Sequence, residues 1–190
     1  MSVKSIARSI VVTAVLAGLD LIPAAAAGVE KMVSECGAGS CPYDSATISA
    51  PAGWVHDDFA ERTLHIKVLV RNGQSFGSTD AFILATVMPN FGNDPIADHV
   101  WRGQKFMRTQ VPDLKMTALP DVARANGKVG FLVFQYEKPS SSTRRFERIA
   151  TTADTDKEGN AFVVSISLTA DSAKALEAAE APYLEVLRRY

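Results

Sequence analysis

The chain's first candidates for acid–base or metal chemistry are its three histidines, His56, His65 and His99. His56 opens the run His56-Asp57-Asp58, and imidazole together with carboxylate suits zinc or manganese. The plainer reading is that Asp57 and Asp58 do ordinary turn chemistry and that His65 points to solvent from a strand. His99 falls beside the apolar stripe of a helix, where a hydrogen-bonded, partly buried ring is expected rather than a base. Neither a nucleophile elbow nor an S-x-x-K serine is expected, and Ser140, Ser141 and Ser142 stand in a loop far in sequence from any histidine. A Ser-His-Asp set gathered from distant positions stays open, because its members need not be adjacent. The phosphate cradles G-x-x-x-x-G-K-[ST] and G-x-G-x-x-G are absent. The carboxylate pairs Asp57/Asp58, Asp154/Asp156 and Glu177/Glu180 fall in turns or on a helix surface, where solvated charge explains them better than proton transfer. The expectation is therefore no catalytic residue, no bound metal and no cofactor.

The two cysteines, Cys36 and Cys41, are separated by four residues. In an oxidising compartment a close pair forms a disulfide, and the glycines between them let the short loop close. A redox pair and half of a metal site are the alternatives, but the spacing is not C-x-x-C and no second pair completes a thiolate zinc site. Lys138, Arg144, Arg145 and Arg148 flank one hairpin and, with Arg188 and Arg189, offer a basic patch for an acidic partner; the bland alternative is a charged sheet edge that resists pairing. Trp54, behind Pro51 and Gly53, is either an anchor at the core's rim or a ligand-facing lip. The binding candidates are thus Trp54, His65, Lys138, Arg144, Arg145 and Arg148.

These residues need elements to hold them. The first 27 residues read as a secretory signal: Lys4 and Arg8, an apolar run from Ser9 to Leu19 that is too short to span a bilayer, and the small residues Ala24 to Ala27. Asp20 and the alternative of a retained anchor stand against that reading. A lipoprotein site fails, because Glu35 precedes Cys36 where a small residue is needed. Cleavage after Ala27 places the protein in the periplasm or outside the cell. The remaining length is that of one domain. A net charge of −1 gives no electrostatic case for nucleic acid, and no later apolar run is long enough to cross a membrane.

Residues 28–45 lack periodicity and are expected to be a tail carrying the disulfide; the domain is expected over 46–190. After a first strand at 46–49, alternation predicts strands at 63–70 and 81–89 that pair as a hairpin. Asp94 as N-cap and Pro95 at the first turn predict a helix to Gln110. Ile96, Val100, Gly103 and Met107 form its inner stripe, and Gly103 suggests close approach to the sheet. Strands are expected at 115–125, 128–137, 144–154 and 161–169. Pro120 marks an edge or bulge, and Asn126-Gly127 a two-residue turn. A second helix is expected over 171–189, with Leu176, Ala179, Tyr183, Leu187 and Tyr190 on one stripe and a kink or restart at Pro182. The fold class is α+β: a single antiparallel sheet of six or seven strands packed by two main helices.

Pro51, Gly53 and Trp54 at a corner, the strand Phe82 to Met88, the helix from Pro95, the strands Phe131 to Glu137 and Phe162 to Leu168, and the closing residues 181–190 together resemble the PsbP-like fold. That family includes an extrinsic subunit of the photosynthetic oxygen-evolving complex, a nuclear Ran-binding protein and exported bacterial proteins. The resemblance covers about residues 46–190 and implies a binding or assembly role rather than catalysis. The cysteine pair lies outside its pattern. The functional expectation is an exported, non-enzymatic binding or accessory protein of the cell envelope with a protein partner. A small-molecule or metal carrier, or a hydrolase with an unrecognised site, is the alternative.

Overall fold

A computed structural model of the protein describes residues 28–36, 39–125 and 127–190. The expected signal segment, 1–27, and the side chain of Cys36 lie outside the described residues. The fold is α+β. Among the described residues it comprises a seven-stranded antiparallel sheet, a separate two-stranded sheet and three helices.

The expected tail is a β-hairpin. β1 (Gly28–Cys36) pairs antiparallel with β2 (Gly39–Thr47). Only its base is buried: Val29 sits opposite Ala46, and both join the main core together with Ile48. Beyond that base, polar and exposed side chains erase the apolar period that would have announced a strand. The segment read as the first sheet strand thus ends this hairpin instead of entering the large sheet.

The large sheet begins at its edge with β3 (Trp54–His56). Trp54 N–H donates to Pro51 carbonyl oxygen at 3.0 Å, and Gly53 has φ +79°. A turn with positive φ at its third residue is a glycine position, so Pro51 and Gly53 are the corner that aims Trp54 into the core. Next comes α1 (Asp58–Leu64), which starts where a turn was expected and takes in Thr63 and Leu64, the first two residues of the expected strand. The Asp57 carboxylate caps it by accepting from Ala60 N–H at 3.0 Å and also accepts from Phe76 N–H at 2.7 Å. His65 closes the helix in the left-handed conformation, φ 56°. Local capping outweighs the period-two pattern here, and β4 (Lys67–Arg71) starts four residues later than expected.

β5 (Ala81–Pro89) pairs with β4, as the hairpin reading required, and then with the distant β9 (Ala161–Ala170). β6 (Lys115–Val122), β7 (Phe131–Glu137) and β8 (Phe146–Thr155) complete the meander, giving the order β3-β4-β5-β9-β8-β7-β6. β6 is an edge strand whose register shifts between Leu119 and Val122, which accommodates Pro120. The β6–β7 connection is longer than the two-residue turn expected, because Val122 pairs with Phe131. Within it Arg124 is buried, donating to the Asp154 carboxylate at 2.9 Å and to the main-chain oxygen of Tyr190 at 3.0 Å. Drawing that side chain inward requires the wider loop. Gly130 is obligatory in it, since a Cβ would stand 2.9 Å from the Val122 carbonyl oxygen.

The two long helices face the sheet differently. α3 (Ala173–Arg189) is capped by the Ser172 hydroxyl, which accepts from Ala175 N–H at 3.1 Å. It runs as one helix through Pro182 rather than restarting there. Ala179 and Tyr183, both fully buried on either side of the proline, hold it against the core. Tyr183 donates to the Ile166 carbonyl at 2.9 Å. α2 (Ile96–Gln110) buries no residue. Its expected cap is also corrected: Pro95 precedes the helix without a side-chain cap, and the Asp94 carboxylate instead accepts from Arg102 at 2.8 Å.

Candidate functional site

Between α2 and the sheet lies a cleft of about 220 Å³. His99, Val100, Gly103, Gln104 and Met107 form its helical wall. Its floor alternates along the strands, as period two demands: Met88 of β5, Val163 and Ser165 of β9, Ile149 and Thr151 of β8, Phe134 and Tyr136 of β7. Register brings them together, with Met88 opposite Val163, Thr151 opposite Ser165, and Ile149 opposite Phe134.

Few polar groups converge on it. Gln104 Nε2 lies 3.5 Å from the Tyr136 hydroxyl, too long for a strong bond. Burial pushes the Tyr136 pKa up, so the hydroxyl keeps its proton. The Thr151 and Ser165 hydroxyls pair at 3.3 Å. His99 Nε2 lies 3.1 Å from Asn90 Oδ1. That oxygen already accepts from Asp94 N–H, while Asn90 Nδ2 donates to Asp94 carbonyl oxygen. The amide orientation is thereby fixed, and His99 must donate from Nε2. Asn90 pins the start of α2 to the end of β5 through these bonds.

Gly103 is where the structure reverses the expectation of close approach. A Cβ built on it meets nothing within 4 Å. Glycine inside a helix costs about 1 kcal/mol relative to alanine, and packing does not require it here. It is an exposed position at the cleft's helical wall, where the missing side chain leaves open space.

The sequence-predicted candidates do not assemble into one site. Trp54 is buried in the main core with the Arg71 guanidinium 5.9 Å from its ring, the arrangement of a rim anchor. His65 is a helix cap, not an outward strand residue; its ring stacks on Tyr43 at 5.0 Å and its Nε2 meets Ser34 Oγ at 3.0 Å. Lys138 pairs with Glu147, Arg145 with Glu137, and Arg148 with Glu180. Arg144 stacks over Phe76 and Phe82 at 4.7 and 4.9 Å, closing a satellite core beside β4. The expected basic patch is thus divided among carboxylate partners and an aromatic lid. Cys36 and Cys41 lie on the two strands of one hairpin.

The histidines are also dispersed. The His56 ring donates to the Glu61 carboxylate at 2.6 Å, which also accepts from Val68 N–H and from Lys67. Burial raises the Glu61 pKa, and these hydrogen bonds more than offset it, so the group titrates below the ordinary carboxylate range. Among the described residues no three His, Cys, Asp or Glu side chains are grouped to hold a metal. Gly73-Gln74-Ser75-Phe76-Gly77 does carry the G-x-S-x-G spacing, which corrects the reading that no such signature exists. It links two antiparallel strands instead of a strand to a helix, and Ser75 Oγ pairs with Ser78 Oγ at 2.9 Å. The His–Ser contact is at His65 and the closest His–carboxylate contact is at His56, so no hydrogen-bonded triad forms among the described residues.

A wider recess of about 460 Å³ lies between the hairpin and the β8–β9 turn. There the Asp156 carboxylate is already engaged by Glu158 N–H, Asn160 N–H and the Asn160 amide, which suits a turn better than a ligand. No described helix is long and apolar enough to cross a membrane. No family model matches the chain, and no curated protein matches it.

The inner stripe of α2 is legible in the sequence, whereas its juxtaposition with Ser165 of β9 and Thr151 of β8 depends on the sheet order. The available signal was the glycine within that stripe. A glycine in such a stripe suggests tight contact, whereas here it opens space.

Proposed function

We propose that this is an exported, non-enzymatic binding protein of the cell envelope, and that it holds a small, largely apolar molecule in the cleft beneath α2. The observation that carries this reading is the cleft itself, an apolar, partly enclosed space with a few convergent polar groups, the usual form of a small-molecule site. The signal-like first 27 residues support export. The resemblance of residues 46–190 to the PsbP-like fold, itself part of this proposal, favours binding rather than catalysis. A disulfide between Cys36 and Cys41 belongs to the same reading and would tie the hairpin's end.

The test is native mass spectrometry of protein recovered from the envelope fraction, before and after extraction with organic solvent. A discrete extractable mass that Gly103→Leu no longer retains is the expected result. Recovery from the cytoplasm with its first 27 residues intact contradicts the export reading. Identical ligand-free spectra for both proteins contradict the carrier reading. Alkylation with and without reductant reads the cysteines; two alkylated thiols without reductant contradict the bridge.

A second reading, a protein partner, is favoured by the exposed aromatic rings of Trp101 and Phe106 on α2. Cross-linking from those two positions in envelope extract tests it.

A further inference from the structure

Wall chemistry narrows the ligand, on the reading that the cleft beneath α2 is the binding site. We infer that the ligand is an uncharged molecule of about one ring that carries a single hydrogen-bonding substituent. No Asp, Glu, Lys or Arg lines the cleft. An ionised ligand would lose its water there without gaining a counter-charge. Its volume of about 220 Å³ exceeds the roughly 150 Å³ apolar cavity that accepts benzene, which leaves room for a ring and a short substituent. Phe134 and Tyr136 supply aromatic surface, and Met88 and Met107 supply flexible thioethers; both favour ring contacts.

The polar handle sits at the Tyr136 end. The Gln104–Tyr136 contact at 3.5 Å is weak, so a hydroxyl or carbonyl on the ligand replaces it at little loss. Of the other polar groups, the Thr151 and Ser165 hydroxyls already meet each other and His99 Nε2 is held by Asn90. Tyr136 and Gln104 therefore offer the best-placed polar contact, and a bond there orients the ring toward Met88 and Val163 at the far end of the floor.

The experiment is a methyl NMR titration of methionine-labelled protein with p-cresol and, separately, with benzoate. Met88 and Met107 report the cleft, and Met32 in the hairpin is the control. The expected result is saturable shifts at Met88 and Met107 with p-cresol, no shift at Met32, and benzoate at least tenfold weaker. Gly103→Leu is expected to weaken p-cresol at least tenfold. If that variant does not fold, Val100→Trp blocks the same wall from a half-buried position. Benzoate binding at Met88 and Met107 as tightly as p-cresol overturns the uncharged-ligand inference while leaving the cleft as a site. Absence of saturable shifts with either probe overturns the inference and the cleft reading together. Unchanged p-cresol binding in both blocking variants places the ligand elsewhere and overturns both as well.

Discussion

α2 and α3 are close in length, with 15 and 17 residues, and both carry an apolar stripe, yet they do different work. α3 buries Leu176, Ala179, Tyr183, Val186 and Leu187 in the main core. α2 buries nothing and stands over a cleft. The anchoring differs in the same way. The end of α3 is fixed by buried Arg124, which donates to the Tyr190 main-chain oxygen while paired with Asp154, whereas the start of α2 is held by the Asn90 amide and a half-exposed Asp94–Arg102 pair. Amphipathic pattern states which face of a helix turns inward; the volume of its side chains decides whether that face fills the space it meets. α3 places Tyr and Leu there. α2 places Gly103 at the centre.

The comparison can be broken at several strengths. The largest effect belongs to Arg124→Leu. It leaves the buried Asp154 carboxylate with Lys128 as its remaining cation and removes the side-chain donor to the Tyr190 main-chain oxygen; breaking a buried pair costs about 3–5 kcal/mol, and urea denaturation measures it. Truncation follows. Leu187→Ala in α3 is expected to cost about 2–5 kcal/mol as a cavity in a filled core. Met107→Ala in α2, on the half-buried stripe, is expected to cost less than about 1 kcal/mol. Equal losses at the two positions would erase the distinction.

Acid acts on the α3 side. Burial raises the Asp154 pKa, but Lys128, Thr155 N–H and Arg124 more than offset it, and the folded carboxyl titrates below its ordinary value. Its folded pKa is depressed, so its stabilisation is fully present above the unfolded value, about 3.9, and is lost as pH falls through the lower folded value. Thermal unfolding between pH 5 and 2 is expected to show this loss, with a shallower slope in Arg124→Leu. The smallest effect is Gly103→Ala, expected to stabilise by up to about 1 kcal/mol, because the helix gains propensity and the Cβ meets nothing.

Legibility in the sequence followed the strength of burial. β5, the strands β7 to β9 and the buried stripe of α3 were readable because one or both faces are filled by apolar side chains at regular spacing, while β6, which buries no residue, was marked as an edge by Pro120. The β1–β2 hairpin was not, since only Val29, Ala46 and the adjoining Ile48 reach the core. α1 was missed because its existence rests on the Asp57 cap and the Glu61 carboxylate, polar devices invisible to an apolar period. The candidate site was half-legible. Its walls lay in patterned elements, but an empty volume leaves no residue to read. Among the basic candidates, charge was visible and pairing was not: Glu137, Glu147 and Glu180 reach Arg145, Lys138 and Arg148 only after the sheet and α3 assemble.

The most direct measurement is a paired substitution that adds the same side chain under each helix: Gly103→Leu in α2 and Ala179→Leu in α3, compared by urea denaturation. Gly103→Leu is expected to hold or gain stability as the leucine enters the cleft, while Ala179→Leu, at a fully buried position, is expected to lose about 1–3 kcal/mol from overpacking. A comparable loss at Gly103 would mean that α2 is packed as tightly as α3, and the cleft would not be a site.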